Sequence, residues 1–135
     1  MHGSIKQFAR YCLAGAVLSA LALSAQAKAL PGAPAPFDKG EVKIALVGYL
    51  FSGDFPEAYL RGVEKQTEAL GANLRVFDAR QQAASQGEMI DQAIDLRVDG
   101  IIVQLGLAET LKAPIDRAIA KGIKVVAFDV DLKNP

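Results

Sequence analysis

The sequence has few of the residues that carry catalytic or metal-binding chemistry. Its 135 residues include one cysteine, Cys12, one histidine, His2, and no tryptophan. A single cysteine excludes an internal disulfide, so the folded part must be held by its hydrophobic core. If the N-terminal segment is removed, Ser-His-Asp, Cys-His and Cys/His zinc sites are all excluded. Carboxylate and lysine chemistry stay open, so the composition disfavours an enzyme and predicts no metal site and no cofactor.

The N-terminal segment has the organisation of a secretory signal peptide. Residues 1–10 carry Lys6 and Arg10 without an acid, and residues 11–25 carry no charge. Two A-x-A triplets follow, ending at Ala27 and Ala29, which predicts cleavage after one of them. The alternative is a membrane anchor, but a spanning helix needs about 20 apolar residues and this run is shorter. The sequence therefore predicts a signal peptide over residues 1–27 and a product exported to the periplasm.

The charge balance gives no indication of a nucleic-acid partner. The chain has 15 basic and 15 acidic residues, and removal of Lys6 and Arg10 leaves a slight acidic excess. Nucleic-acid binding needs a concentrated positive surface, so we expect no such partner. Residues 28–40 are rich in proline and glycine and are predicted to be a linker. Residues 41–135 then form one folded unit.

Residues 41–135 alternate between short apolar β-branched runs and longer amphipathic segments. The predicted strands are 42–48, 73–77, 100–104 and 124–128, and the predicted helices are 55–70, 85–97 and 111–121. The helix over 85–97 places Met89, Ile90, Ala93 and Ile94 on one face, and the helix over 111–121 directs Ile115, Ala118 and Ile119 inward. Such alternation predicts an α/β fold, a doubly wound parallel sheet in the order β-α-β-α-β-α-β with helices on both faces.

Ligands of doubly wound sheets bind beyond the carboxyl ends of the strands, where the strand order reverses. A nucleotide is one alternative there, but the first turn, GYLFSGD, has neither glycine-rich phosphate motif and places Asp54 where a phosphate would bind. The segments expected at this edge are 49–54, 78–80, 104–106 and 129–131.

Three stretches carry a family resemblance in their order and spacing. They are VKIALVGYLFSGDFPEAYLRGVEKQTEALGANLRVFDAR, GEMIDQAIDLRVDGIIVQ and AIAKGIKVVAFDVD, all within residues 42–131. This part of the chain resembles the first lobe of periplasmic sugar-binding proteins, the type I solute-binding subunits of ABC importers in the ribose- and galactose-binding class. In that family two lobes close over one small ligand. The resemblance implies that this chain is an incomplete first lobe of such a periplasmic-binding-protein-like fold.

The resemblance also implies a set of ligand contacts. Asp129 matches an acid that hydrogen-bonds sugar hydroxyls, although Val130 stands where many relatives have arginine. Phe55 matches an aromatic residue that packs on the sugar ring. Phe51 is a second aromatic candidate, and Gln104 offers an amide that both donates and accepts.

Each of these residues also has a structural alternative. Asp129 could be a turn residue, Phe55 an anchor of the helix start against the core, and Gln104 a solvated side chain. Asp54, with Pro56 and Glu57 behind it, is favoured as a helix cap over a ligand contact.

The expected function is delivery of a small polar ligand, such as a monosaccharide, to a membrane ABC permease by a monomeric, noncatalytic protein. A periplasmic sensor domain of a signalling or chemotaxis protein is the alternative. Because one incomplete lobe offers half of a pocket, we expect these residues alone to bind sugar weakly and to fold marginally.

Overall fold

The computed structural model describes residues 31–130 and residue 132, so the predicted signal peptide lies outside the described residues. Four strands and three helices alternate in this part of the chain, as predicted. They are β1 (Lys43–Gly48), α1 (Asp54–Ala69), β2 (Asn73–Asp78), α2 (Ala83–Asp95), β3 (Gly100–Gln104), α3 (Ala108–Ala120) and β4 (Lys124–Phe128). No helix within these residues is long and apolar enough to cross a membrane.

The four strands form one parallel sheet in the order β2-β1-β3-β4. The chain leaves β1 toward β2 on one side and then returns across the sheet to β3 on the other side. Strand order therefore reverses between β1 and β3, which makes their carboxyl ends the switch point of the sheet. Gly48 of β1 and Gln104 of β3 are in-register neighbours at this point.

One face of the sheet carries the main core. Alternate residues of β1 and β3, such as Val47 and Val103, point to this face and are fully buried against α2 and α3. The buried cluster consists of Ala45, Val47, Ile90, Ala93, Val98, Ile101, Val103, Leu111, Ile115, Ala118 and Ile123. Burial of these β-branched and aliphatic side chains is the main source of stability for a domain that has no disulfide.

Helix α1 lies on the opposite face of the sheet. Phe128 shares that face with Gln104, its in-register neighbour, and its ring stacks on Tyr59 of α1. Leu46 is fully buried on the same face, whereas Val126 is exposed. Helices therefore cover both faces, as predicted, but α1 leaves the β4 side of its face open.

The structure corrects details of the helix predictions. Helix α3 begins at Ala108 instead of residue 111, because the carbonyl of Leu107 accepts hydrogen bonds from the backbone N–H groups of Thr110 and Leu111. Its buried stripe is Leu111, Ile115 and Ala118, while Ile119 is 56% exposed. The prediction that Ile119 points inward was therefore wrong: Ile119 lies one position, about 100°, beyond the stripe.

Residues 31–40 contain turns and no helix or strand. The amide of Phe37 donates to the carbonyl of Pro34, and the amide of Lys39 donates to the carbonyl of Pro36. The linker remains a prediction.

Candidate functional site

The carboxyl ends of β1, β3 and β4 are joined by hydrogen bonds that continue past the strands. The amide of Tyr49 donates to the carbonyl of Gln104 at 2.9 Å, and the amide of Leu105 donates to the carbonyl of Phe128 at 3.0 Å. These bonds hold Tyr49 and Leu105, the first residues after β1 and β3, in fixed positions. The result is a continuous surface across the switch point.

Backbone strain concentrates at this edge of the sheet. Of the five non-glycine residues with positive φ in the described chain, four follow the carboxyl end of a strand: Arg80, Gln81, Leu105 and Asp129. The left-handed conformation costs such residues about 1–3 kcal/mol each and is concentrated at functional sites. The backbone strain and the strand order therefore favour the same edge of the sheet as the location of the functional site.

Gln104 is the most unusual polar residue at the switch point. Its side chain is 0% exposed, and among the described residues neither its Nε2 nor its Oε1 has a hydrogen-bond partner. An unpaired buried amide costs about 1–3 kcal/mol, so such groups are rare without a functional reason. The burial is inconsistent with the alternative that Gln104 is simply solvated at the strand end.

Phe51 packs its ring directly on the backbone of Gly48. Phe51 is only 7% exposed, and a β-carbon on Gly48 would overlap the ring. Glycine is needed here because the aromatic ring approaches the strand too closely for any side chain. Phe51 therefore fills the space beside Gln104 and does not offer a free face at the mouth of the site.

Three aromatic rings form a ladder on the α1 side of this edge. The ring of Phe128 stacks on Tyr59 with centroids 4.6 Å apart and on Phe55 with centroids 6.4 Å apart. Phe55 is 59% exposed, which excludes the core-anchor alternative for its ring. Sequence reasoning missed Tyr59 and Phe128; the spacing of Phe55 and Tyr59, four residues apart on one helix, was the available indication.

The two acidic candidates lie at different strand ends. Asp129 follows β4 in a left-handed conformation, with φ 57°, and is exposed. Asp54 is the first residue of α1 rather than its cap: the capping position is Gly53, and no side chain caps the helix. The predicted capping role of Asp54 was therefore wrong, because the chain enters the helix one residue earlier, through a glycine with φ 99°.

The start of α1 is unsuited to a phosphate group. Asp54 and Glu57 both lie in its first turn. Their negative charges interact favourably with the positive end of the helix dipole, and they would repel a bound anion. Among the described residues no group of three or more His, Cys, Asp or Glu side chains could hold a metal ion.

A cavity of about 500 Å³ lies at the opposite end of the sheet, next to the carboxyl ends of α2 and α3. Its lining consists of Ile94, Asp95, Arg97, Val98, Lys121 and Ile123. A groove of this volume is large enough for a small ligand. Arg97 of this groove is left-handed, but the other four left-handed residues, the unpaired amide and the switch point all lie at the opposite edge, and we place the candidate site there.

Comparison with known proteins identifies the family. Residues 44–135 match the periplasmic binding protein domain. This match extends over more than half of the chain. The chain belongs to the periplasmic binding protein family.

Solved structures of family members agree with this assignment. The 5-methylthioribose transporter solute binding protein from Thermotoga lettingae, in complex with 5-methylthioribose, is 36% identical with a TM-score of 0.67, over 69% of this chain and 30% of that chain. A sugar ABC transporter protein from Yersinia enterocolitica is 31% identical with a TM-score of 0.67, over 71% of this chain and 29% of that chain. A carbohydrate transporter protein from Acidothermus cellulolyticus, in complex with myo-inositol, is 27% identical with a TM-score of 0.60, over 65% of this chain and 31% of that chain.

The chain thus spans about 30% of the length of these periplasmic binding proteins. No curated protein matches it. The resemblance drawn from the sequence is confirmed at the level of fold and family.

Proposed function

We propose that this chain supplies one wall of the ligand site of a noncatalytic periplasmic solute-binding protein that delivers a sugar or similar small polar molecule to an ABC importer. Membership of the periplasmic binding protein family supports the binding role. The relatives from Thermotoga and Acidothermus hold 5-methylthioribose and myo-inositol, which are both small polyhydroxyl compounds.

The observation that carries this proposal is the unpaired carboxamide of Gln104 at the switch point. A sugar hydroxyl both donates and accepts, so one or two hydroxyls satisfy the Nε2 donor and the Oε1 acceptor together. Binding then recovers the free energy that the empty site loses by burying this amide. The ring of Phe51 packs on Gly48, the in-register neighbour of Gln104.

Asp129 and Phe55 complete a surface suited to a neutral polyol. Phe128 is the in-register neighbour of Gln104 and the last residue of β4, so Asp129 begins the loop directly beyond it. An ionised carboxylate accepts hydrogen bonds from adjacent hydroxyls. The exposed ring of Phe55 offers an apolar face to the C–H groups of a sugar ring.

The test is a titration of the ¹⁵N-labelled chain, followed by NMR, with 5-methylthioribose, myo-inositol and D-arabinose as probes. We expect shift changes at the amides of Tyr49, Gln104, Leu105 and Asp129 for at least one probe. One wall cannot enclose the ligand, so the expected Kd is in the millimolar range, about −4 kcal/mol. Gln104→Met, which keeps the size but removes both polar atoms, should abolish the changes.

Asp95→Asn is the matched control, since it alters a polar residue of the groove at the other edge. It should leave the titration unchanged. Shift changes confined to that groove, or no changes with any of the three probes, would contradict the proposal. A micromolar Kd would contradict the statement that the chain provides only one wall.

A further inference from the structure

Gln86 is a fully buried polar residue in the first turn of α2, at a point where the helix faces the switch point. Its Nε2 donates to the carbonyl of Leu105 at 3.0 Å, to that of Gln104 at 3.3 Å and to that of Val47 at 3.5 Å. One side-chain amide thus contacts the carboxyl ends of both β1 and β3 and the loop that follows β3. No other side chain among the described residues donates to both of these strand ends.

The other side of the Gln86 amide is fitted to Gly106. A β-carbon on Gly106 would overlap Oε1 of Gln86 and would lie 2.7 Å from Cδ1 of Leu111. Gly106 also has φ 121°, a conformation that residues with a side chain avoid. Gln86 and Gly106 therefore depend on each other: the backbone passes over the amide only because position 106 has no side chain.

The contact explains how the strained turn after β3 persists. Leu105 is held in the left-handed region, with φ 55°, which turns its carbonyl out of the strand ladder. Such a conformation persists only when its surroundings over-determine it. The amide of Leu105 donates to the carbonyl of Phe128, and its carbonyl accepts from Gln86, so both backbone polar groups of the residue are fixed.

We propose that Gln86 is a positioning residue for the ligand site, although it lies on the opposite face of the sheet from Gln104. It sets the backbone of residues 104–106, and through it the direction in which the Gln104 carboxamide points. Gln86 takes no part in contacting the ligand itself, because its amide lies beneath the strand ends. This proposal rests on the proposed function, since it concerns the same site.

Amide hydrogen exchange in the 135-residue chain tests this role without a ligand. Gln86→Met keeps the side-chain length and removes the donor. Exchange at the amides of Tyr49 and Leu105 should accelerate about tenfold, equivalent to the loss of one good hydrogen bond. Exchange at the amides of Asn73 and Asp99, which donate at the other end of the sheet, should stay unchanged. The side-chain resonances of Gln104 should also shift.

Ile90→Val is the matched control, because Ile90 is fully buried one turn further along the same helix and its aliphatic side chain cannot donate a hydrogen bond to the strand ends. It should accelerate exchange at both ends of the sheet alike. If Gln86→Met gives that same uniform pattern, Gln86 is a packing residue and the positioning role is wrong.

A second variant approaches the same contact from the loop. Gly106→Ala presses a methyl group onto Oε1 of Gln86 and should reproduce the local pattern of Gln86→Met. Unchanged exchange at Tyr49 and Leu105 in both variants would overturn the proposal. If the wild-type chain binds none of the three probes, the proposed function fails for them, while the exchange data still decide the role of Gln86.

Discussion

At the scale of single residues, the aromatic ladder couples the site to an ionisable group. Tyr59 stacks on Phe128, the last residue of β4, and partial burial raises the pKa of the Tyr59 hydroxyl above its ordinary value of 10.0. A raised pKa means that the folded state favours the neutral phenol more than the unfolded state does. Tyr59 therefore gives its full contribution to the free energy of unfolding at pH values below the pKa that it has in the unfolded chain.

This contribution is lost as the pH rises toward and through the folded pKa, because the unfolded chain ionises first. The free energy of unfolding of the wild type should fall relative to Tyr59→Phe as the pH is raised from about 9 past the ordinary tyrosine value of about 10. Urea unfolding of both proteins at each pH measures the difference. A constant difference across this range would show that burial does not perturb Tyr59.

The sequence was sufficient to place the candidate site residues at one edge but not to describe their surroundings. Gln104 ends one apolar strand and Asp129 directly follows another. Both could be assigned to the site because parallel strands that are neighbours end at a common edge of the sheet. The burial of Gln104 and the packing of Phe51 on Gly48 depend on loop conformation. Loop side-chain packing leaves no periodic pattern in a sequence, so these features could not be predicted.

At the scale of elements, the helices are fixed to the sheet by narrow apolar stripes. Helix α3 buries Leu111, Ile115 and Ala118, and Arg117 on its outer side forms two hydrogen bonds, at 2.9 and 2.7 Å, with Asp91 of α2. The periodicity predicted the stripe correctly through Ile115 and Ala118. It failed for Ile119 because an apolar residue at the edge of a stripe satisfies the same pattern when it is exposed.

Truncating Ile115 and Ile119 to alanine distinguishes the buried position in α3 from the exposed one. Ile115→Ala should lower the free energy of unfolding by about 2–5 kcal/mol, because it leaves a cavity in the core. Ile119→Ala should change it by less than about 0.5 kcal/mol, since the side chain is mostly exposed. Urea denaturation of both variants checks the prediction; equal losses would mean that α3 is rotated from the orientation described.

At the scale of the whole molecule, family membership connects the fold to export. The chain matches the periplasmic binding protein domain over residues 44–135, and the sequence before that region has the order of charge, apolar run and small residues that predicts a signal peptide. These two observations are independent of each other. Both favour a protein that acts outside the cytoplasm.

Export predicts a defined mature N-terminus. When the chain is expressed in a bacterium with a periplasm, mass spectrometry of the periplasmic fraction should find a product that begins at Lys28 or Leu30. A product that keeps residues 1–27 and sediments with the membrane would contradict cleavage. That result would favour the alternative of a membrane-anchored sensor domain.

The open side of the sheet has a consequence for how concentrated solutions of these 135 residues behave. In the described chain β4 has β3 as its only partner, and Val126, 60% exposed, projects from it. The strand reads KVVAF, with one charge and no proline, a composition that does little to prevent pairing with another chain. Colloidal stability should therefore be limited by this strand: turbidity should grow with protein concentration long before the fold itself is lost.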